Sequence, residues 1–448
     1  MKQDTIVVFD YGSQYTRLIS RRLREINVFC DLVYPEIDKS FFDERKVKGF
    51  ILSGGPNSVF EENSPDIPKW VMESKLPILG ICYGMQLIAI NHQGKVKKTS
   101  KREYGNSILN ILDSSKLFNG IPQKSNVWMS HGDKVIDLPE GFQVVAKTDN
   151  SFCAAFEKDL FYGVQFHPEV DNTDYGKDIL KNFALDICNI SDNWNAKNFI
   201  NTTIESIRKE IGNSKVICGI SGGVDSSITA TLIHKAIGNN LTSIFVDNGL
   251  LRKGESEDVM NFLQKGLGLN IIKVNASKNF LDKLRNIIDP EEKRKIIGKE
   301  FINVFEKEAK KIKNVKYLAQ GTLYSDVVES AVIKAGHQAV IKSHHNVGGL
   351  PDKMKLKLIE PLRLHFKDEV REVGYELGIN KEIIERHPFP GPGLAIRIMG
   401  EITEEKLNIL READQIFIDE IKKAGLYHKI WQAFAVLTNT QSVGVMGD

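Results

Sequence analysis

At 448 residues the chain is too long for one ordinary hydrophobic core and predicts two or three domains. Its 42% hydrophobic and 26% charged residues are those of a globular protein, and a net charge of +2 gives no electrostatic footprint for nucleic acid or an anionic membrane. Five cysteines, an odd number without a Cys-x-x-Cys pair, argue against a disulfide framework or a structural zinc site and for reduced thiols in a cytoplasmic setting. No apolar run approaches bilayer length, and residues 1–5 lead directly into a strand-like run, so neither a membrane span nor a leader is expected.

Ile6-Val7-Val8-Phe9-Asp10 reads as the first strand, and 15–25 as a helix with Leu18, Ile19 and Leu23 turned inward. Phe50-Ile51-Leu52 is the next clear strand and ends in Ser53-Gly54-Gly55-Pro56. Pro77-Ile78-Leu79-Gly80-Ile81-Cys82-Tyr83-Gly84-Met85-Gln86 follows, then a helical run over 87–91. This alternation predicts an open, mostly parallel sheet with its site at the strand C-termini. Gly80-x-Cys82-x-Gly84, between strand and helix, has the form of a nucleophile elbow. Its sharp turn exposes the central side chain, flanking glycines relieve crowding, and the helix N-terminus favours a thiolate. Cys30, Cys153, Cys188 and Cys218 read as small buried hydrophobes. A nucleophilic thiol needs a base. Phe166-His167-Pro168-Glu169 closes another apolar run, and residues i and i+2 of an extended segment share a side. Glu169 can then orient His167 while His167 takes the proton of Cys82.

Gly-Ile-Cys-Tyr-Gly-Met-Gln, Ser-Gly-Gly-Pro and Phe-His-Pro-Glu together resemble the class I glutamine amidotransferases. The resemblance implies a Cys82–His167–Glu169 triad that hydrolyses glutamine through a thioester, with an oxyanion hole from the amides of Gly55 and Tyr83. It also matches Gln86 and Ser130-His131-Gly132-Asp133 to the glutamine pocket; the latter four equally suit a surface turn.

The polar stretch 186–197 lacks a clean period and marks a domain boundary, with Trp194 packing on a neighbour. Beyond it, the β-branched run 215–220 leads into Ser221-Gly222-Gly223-Val224-Asp225-Ser226-Ser227 and a helical run stopped by Gly238. A loop at a helix N-terminus offers unpaired amides to an anion. Its glycines admit a phosphate close to the backbone, and its hydroxyls add donors. No Gly-Lys-Ser/Thr follows, so this is not a Walker A loop, and Asp225 calls for Mg²⁺ to offset the combined negative charge. The run resembles the pyrophosphate-binding loop of the ATP pyrophosphatases, which adenylate a carbonyl oxygen. That resemblance implies ATP as co-substrate on 221–227, with the following strand carrying adenosine near Val246.

The charged run 289–299 reads as a solvated helix face. Asp326, after Gln320-Gly321-Thr322-Leu323-Tyr324-Ser325, suits either a Mg²⁺ ligand or a helix cap. The Gly-rich loop 341–351, despite His344-His345, reads as a mobile lid before a metal site. An amphipathic helix over 367–377 ends at Gly378. Arg386-His387-Pro388-Phe389-Pro390-Gly391-Pro392-Gly393-Leu394-Ala395-Ile396-Arg397 is rigid and non-helical, and its apolar residues mark a packed connector. Thr403 caps a predicted helix with Leu407, Leu410, Phe417 and Ile421 inward, and 431–437 alternates like a strand.

With the amidotransferase segment ahead of the phosphate loop, this Pro/Gly run closely resembles the glutamine-hydrolysing GMP synthetase family over essentially the whole chain. The resemblance implies an α/β protein: two doubly wound, mostly parallel-sheet domains, 1–190 and 197–390, then an incomplete α+β dimerisation domain at 391–448. It implies a ligase acting on glutamine, ATP and xanthosine 5′-monophosphate, homodimeric in the family, with Mg²⁺ on Asp225 and Asp326 and no nucleic-acid or membrane partner. In the family the third domain continues further, so the chain is expected to be C-terminally shortened. Arg294, Lys342 and Arg397 are candidates for the nucleotide phosphate, because a dianion favours Lys and Arg donors; each equally suits an ordinary surface charge. The alternatives are an amidotransferase for another adenylated acceptor and a chain keeping only glutaminase activity or ATP binding.

Overall fold

Short β-branched strands that alternate with helices bury both faces, which a parallel sheet covered on each side satisfies. Both halves of the chain are built this way. The computed structural model describes residues 3–43, 45–62, 64–327 and 356–440, the side chains at 99–102 excepted. It divides into two units, Met1–Asn195 and Ala196–Asp448, and the division falls inside the predicted boundary stretch.

The first unit holds β1 (Gln3–Phe9), β2 (Cys30–Val33), β3 (Arg45–Leu52), β4 (Ile78–Ile81), β5 (Lys95–Ile111), β6 (Lys124–Asp137), β7 (Gln143–Lys147), β8 (Ala155–Lys158) and β9 (Phe161–Val164). They form one sheet in the order β2-β1-β3-β4-β9-β8-β7-β5-β6. Pairs from β2 to β9 are parallel, as expected. The rest are antiparallel, so the sheet is mixed. Buried and less buried residues alternate along β6, as in an antiparallel strand with one face toward solvent. Apolar clusters cover both faces, one around Ile6, Ile19 and Leu23, the other around Phe9, Phe50 and Trp70. Trp194 packs on Phe29 with ring centroids 4.7 Å apart.

The second unit holds a parallel sheet of β10 (Lys215–Ile220), β11 (Leu241–Asp247), β12 (Ile271–Asn275), β13 (Val315–Ala319) and β14 (Lys357–Ile359), ordered β12-β11-β10-β13-β14. Leu394, Ile398, Leu407 and Leu410 join the same apolar cluster as Ile244 and Phe280, so the C-terminal connector is built into this unit's core. The charged run near 290 is not a purely solvated face. In the helix Pro290–Ala309, Lys293 is fully buried and its Nζ donates to the carbonyls of Ala395 (3.3 Å), Ile398 (2.9 Å) and Gly400 (2.6 Å).

Two further expectations are corrected. The helix Glu404–Lys423 buries Leu407, Leu410, Asp414 and Ile418, while Phe417 is 41% exposed: spacing allows either 417 or 418 on the inward stripe, and what the helix packs against selects 418. Residues 431–437 form no strand: Trp431 is 74% exposed, and Leu437 makes an isolated bridge to Ile398. The predicted lid 341–351, Lys342 within it, and residues 441–448 lie outside the described residues. Among the described residues no helix is long and apolar enough to cross a membrane.

Candidate active sites

β3, β4 and β9 run side by side in register, Leu52 opposite Gly80 and Gly80 opposite Gly163, so their C-termini meet at one edge. Cys82 follows β4 with φ 52° and ψ −102° and opens the helix Tyr83–Asn91. A non-glycine residue held there stores about 1–3 kcal/mol of strain. The neighbours must be glycine for a different reason. A Cβ at Gly80 would lie 2.5 Å from the Gly84 carbonyl, and one at Gly84 would lie 2.4 Å from the Leu52 oxygen. The helix is packed onto β3 and β4 too closely for any larger residue.

The Cys82 thiol donates to the Ser130 carbonyl at 3.7 Å and accepts from Gln165 Nε2 at 3.7 Å, and it lies near enough to His167 to act on the imidazole's pKa. His167 Nδ1 donates to Glu169 Oε1 at 2.8 Å, and both residues are buried. Burial alone would push the imidazole pKa down. The Glu169 carboxylate and the Cys82 sulfur outweigh it and hold that pKa well above its ordinary value. The triad contact does not come from an extended strand, however. β9 stops at Val164, and residues 165–169 bend and turn, which carries His167 and Glu169 to the same place by another path. Tyr15 meets the His167 ring edge-on, with centroids 5.2 Å apart.

A cavity of about 560 Å³ opens onto Cys82, His167, Gly55, Tyr83, Gln86 and residues 130–133. Among the described residues, neither the Gly55 nor the Tyr83 amide donates a hydrogen bond within the chain. Ser130, His131, Gly132 and Asp133 belong to β6 and are not a surface turn. Gln86 Nε2 donates to the Asp133 carbonyl at 2.8 Å, and Ser58 Oγ to the Asp133 carboxylate at 2.5 Å. The sequence reading missed Ser58, Glu103, Gln165 and Tyr15. Of these, Gln165 alone carried a local signal, two residues before His167 in the same motif.

In the second unit the loop 221–227 joins β10 to the helix Val224–Ile237. Gly222 has φ +74°, and a Cβ there would lie 2.5 Å from Val259, so the turn requires glycine twice over. Gly223 N donates to Ser221 Oγ at 3.3 Å. Ser226 and Ser227 donate to the Gly223 carbonyl at 3.2 and 2.8 Å, which stiffens the loop from within. Asp225 Oδ2 lies 3.7 Å from Lys367 Nζ, at the start of the helix Lys367–Glu376. This cation beside the loop was not singled out from sequence. Val246 is buried near the end of β11.

Asp326 Oδ2 accepts from the Leu323 amide at 2.9 Å, the capping alternative. Among the described residues no group of three or more His, Cys, Asp or Glu side chains could hold a metal ion. Arg294 forks onto Glu291 at 2.7 and 2.5 Å. Arg397 is 3% exposed, 3.4 Å from Asp414 and packed between Phe389 and Phe434. Burial, then Arg252, brings its pKa down to about 10. Its surroundings are those of an internal buttress.

A family model for class-I glutamine amidotransferases matches residues 7–187, one for NAD synthase matches 196–302, and one for the GMP synthase C-terminal domain matches 419–448. A protein of Lactobacillus gasseri named GMP synthase [glutamine-hydrolyzing] is 55% identical over 448 residues, 99% of this chain and 86% of that one. Proteins of the same name from Caldicellulosiruptor saccharolyticus and Brachyspira hyodysenteriae are 55% and 53% identical, covering 88% and 87% of their lengths. With such identity along the whole chain, the protein belongs to the glutamine-hydrolysing GMP synthases.

Proposed function

We propose that the two sites divide GMP synthesis between amide cleavage at Cys82 and nucleotide activation at 221–227. The assignment to Cys82 is carried by one observation: a thiol and an imidazole line the same cavity, the imidazole is hydrogen-bonded to a buried carboxylate, and the cavity also holds two undonated backbone amides. Cys82 Sγ, its proton passed to His167, attacks the side-chain carbonyl carbon of glutamine, and the amides of Gly55 and Tyr83 receive the charge that develops on its oxygen. The C–N bond breaks as His167 gives its proton to the departing ammonia. Water then attacks the thioester, releasing glutamate and restoring the thiol.

At the second site the amides of 221–227 and the ammonium of Lys367 hold the polyphosphate of ATP, with Val246 beside the adenine. The C2 oxygen of xanthosine 5′-monophosphate attacks the α-phosphorus and pyrophosphate leaves. Ammonia then displaces AMP to give GMP. Mg²⁺ is compatible with this loop, because the ion is commonly bound by one or two carboxylates together with substrate phosphates, and Asp225 would be its carboxylate ligand. When bound, it would offset charge on the leaving pyrophosphate. Asp326, engaged as a cap, is the weaker candidate. Among the phosphate candidates Arg294 is favoured over Arg397, which is enclosed by aromatic rings.

The test supplies ATP, Mg²⁺ and xanthosine 5′-monophosphate with either glutamine or ammonium and measures AMP and GMP. Formation of GMP from both nitrogen sources supports the division. Adenylation of a different acceptor in preference to xanthosine 5′-monophosphate would overturn the substrate assignment.

A further inference from the structure

Glu103 belongs to none of the motifs above, yet it is 8% exposed and stands directly opposite His131 across the β5–β6 pair. Partners in that register touch through their side chains. Glu103 Oε2 lies 3.4 Å from His131 Nε2, and its other oxygen accepts from Ser107 Oγ at 2.9 Å. The two atoms approach without hydrogen-bond geometry, and neither Oε2 nor Nε2 has another hydrogen-bond partner among the described residues. The pairing holds the Glu103 pKa below the usual carboxylate range, the His131 contact being the largest cause.

The other ring nitrogen, Nδ1, donates to the Asp133 carbonyl at 3.2 Å, the same oxygen that receives Gln86 Nε2 at 2.8 Å. On the opposite side of His131, the Ser130 carbonyl takes the Cys82 thiol at 3.7 Å. The imidazole therefore pins a short stretch of β6 that reaches both the nucleophile and the cavity wall. Its ring can turn about χ2 unless something holds Nε2. Glu103 holds it.

We propose that Glu103 is a positioning residue for glutamine: it fixes the His131 ring and thereby the cavity wall formed by Ser130 to Asp133. The inference rests on the assignment of this cavity to glutamine. Glu103 does not touch the reacting atoms, so its loss acts on substrate affinity and leaves the thiol chemistry in place. Without the Glu103 carboxylate against it, the ring loses the contact that fixes its orientation and is free to turn about χ2, releasing the Asp133 carbonyl.

The experiment uses the full chain with Glu103→Gln, Glu103→Ala, His131→Ala and the Glu103→Ala/His131→Ala double variant. AMP formation is followed with glutamine and with ammonium, and Cys82 alkylation with iodoacetamide. For Glu103→Gln the glutamine KM is expected to rise about tenfold while kcat changes by less than about threefold. The ammonium-dependent rate and the alkylation rate should hold. The double variant should lose no more than His131→Ala, since Glu103 acts through that ring. An unchanged glutamine KM, additive losses in the double variant, or a parallel fall in the ammonium-dependent rate would each overturn the proposal. Cys82→Ala in the parent chain separates the two readings: persistence of glutamine-dependent AMP formation there would refute the glutamine assignment itself.

Discussion

His167 Nδ1 and Glu169 Oε1 lie 2.8 Å apart, with both side chains almost wholly withdrawn from water. In so dry a setting the carboxylate fixes which nitrogen carries the proton, leaves Nε2 to face the thiol, and stabilises the imidazolium once it forms. The contact spans two residues of sequence, but a turn in the backbone creates it.

Glu169→Gln should therefore shift the pH dependence of glutamine hydrolysis. The His167 pKa is raised in the folded state, so the stability it contributes is fully present below the ordinary histidine pKa and is lost as pH rises through the folded value. Removing the largest raising influence lets His167 lose its proton at lower pH. The alkaline limb of the glutaminase profile should move toward acid, and the rate should fall about 10²–10⁴-fold. A limb that stays in place, or moves toward alkali, would contradict the assignment.

Cys82→Ala should abolish glutamine-dependent GMP formation, by about 10⁴-fold or more, and spare formation from ammonium. Steady-state assays with both nitrogen sources decide this. Equal loss with the two would mean that the thiol serves more than amide cleavage.

Gly84→Ala tests the steric basis of the elbow. The added Cβ would lie 2.4 Å from the Leu52 carbonyl, which belongs to the sheet and cannot retreat. About 1–3 kcal/mol of destabilisation is expected from such overpacking, read as a lower urea midpoint, together with slower alkylation of Cys82. A variant of parental stability and reactivity would show that the helix has room to move.

Lys367→Ala removes the ammonium 3.7 Å from Asp225. ATP affinity should weaken by about tenfold, the effect of losing one charge-assisted contact, while glutamine hydrolysis persists. Titration of the ATP concentration dependence of pyrophosphate release measures it. An unchanged KM for ATP would restrict Lys367 to its ion pair.

Lys293→Ala leaves three carbonyls of the connector without their donor. Unfolding of the second unit should become easier by about 2–4 kcal/mol, the cost of a lost buried network plus a small cavity. Chemical denaturation followed by a probe within that unit checks the value.

Much of this protein was legible before any coordinates. Cys82 between its glycines, the Ser/Gly loop after a β-branched run, and helices stopped at Gly238 and Gly378 are encoded by spacings of a few residues. Backbone sterics and helix termini act at that range. Local pattern also misled in places. Alternation at 431–437 suggested a strand, but an extended run becomes one only when another strand pairs with it along its length. Phe417 was apolar and near the right spacing, yet the inward face is set by what the helix packs against.

The chain alone determined which motifs are present, since a Gly-x-Cys-x-Gly turn and a glycine-lined loop at a helix start need only neighbouring residues. The tertiary structure decided which groups serve them. Lys293 finds its carbonyl partners more than 100 residues away, at separations of 102, 105 and 107. His131 meets Glu103 through the register of two long strands, and Lys367 reaches Asp225 because the start of its helix lies beside the loop 221–227. Such pairs leave no periodic trace in sequence, because sheet order and register place them.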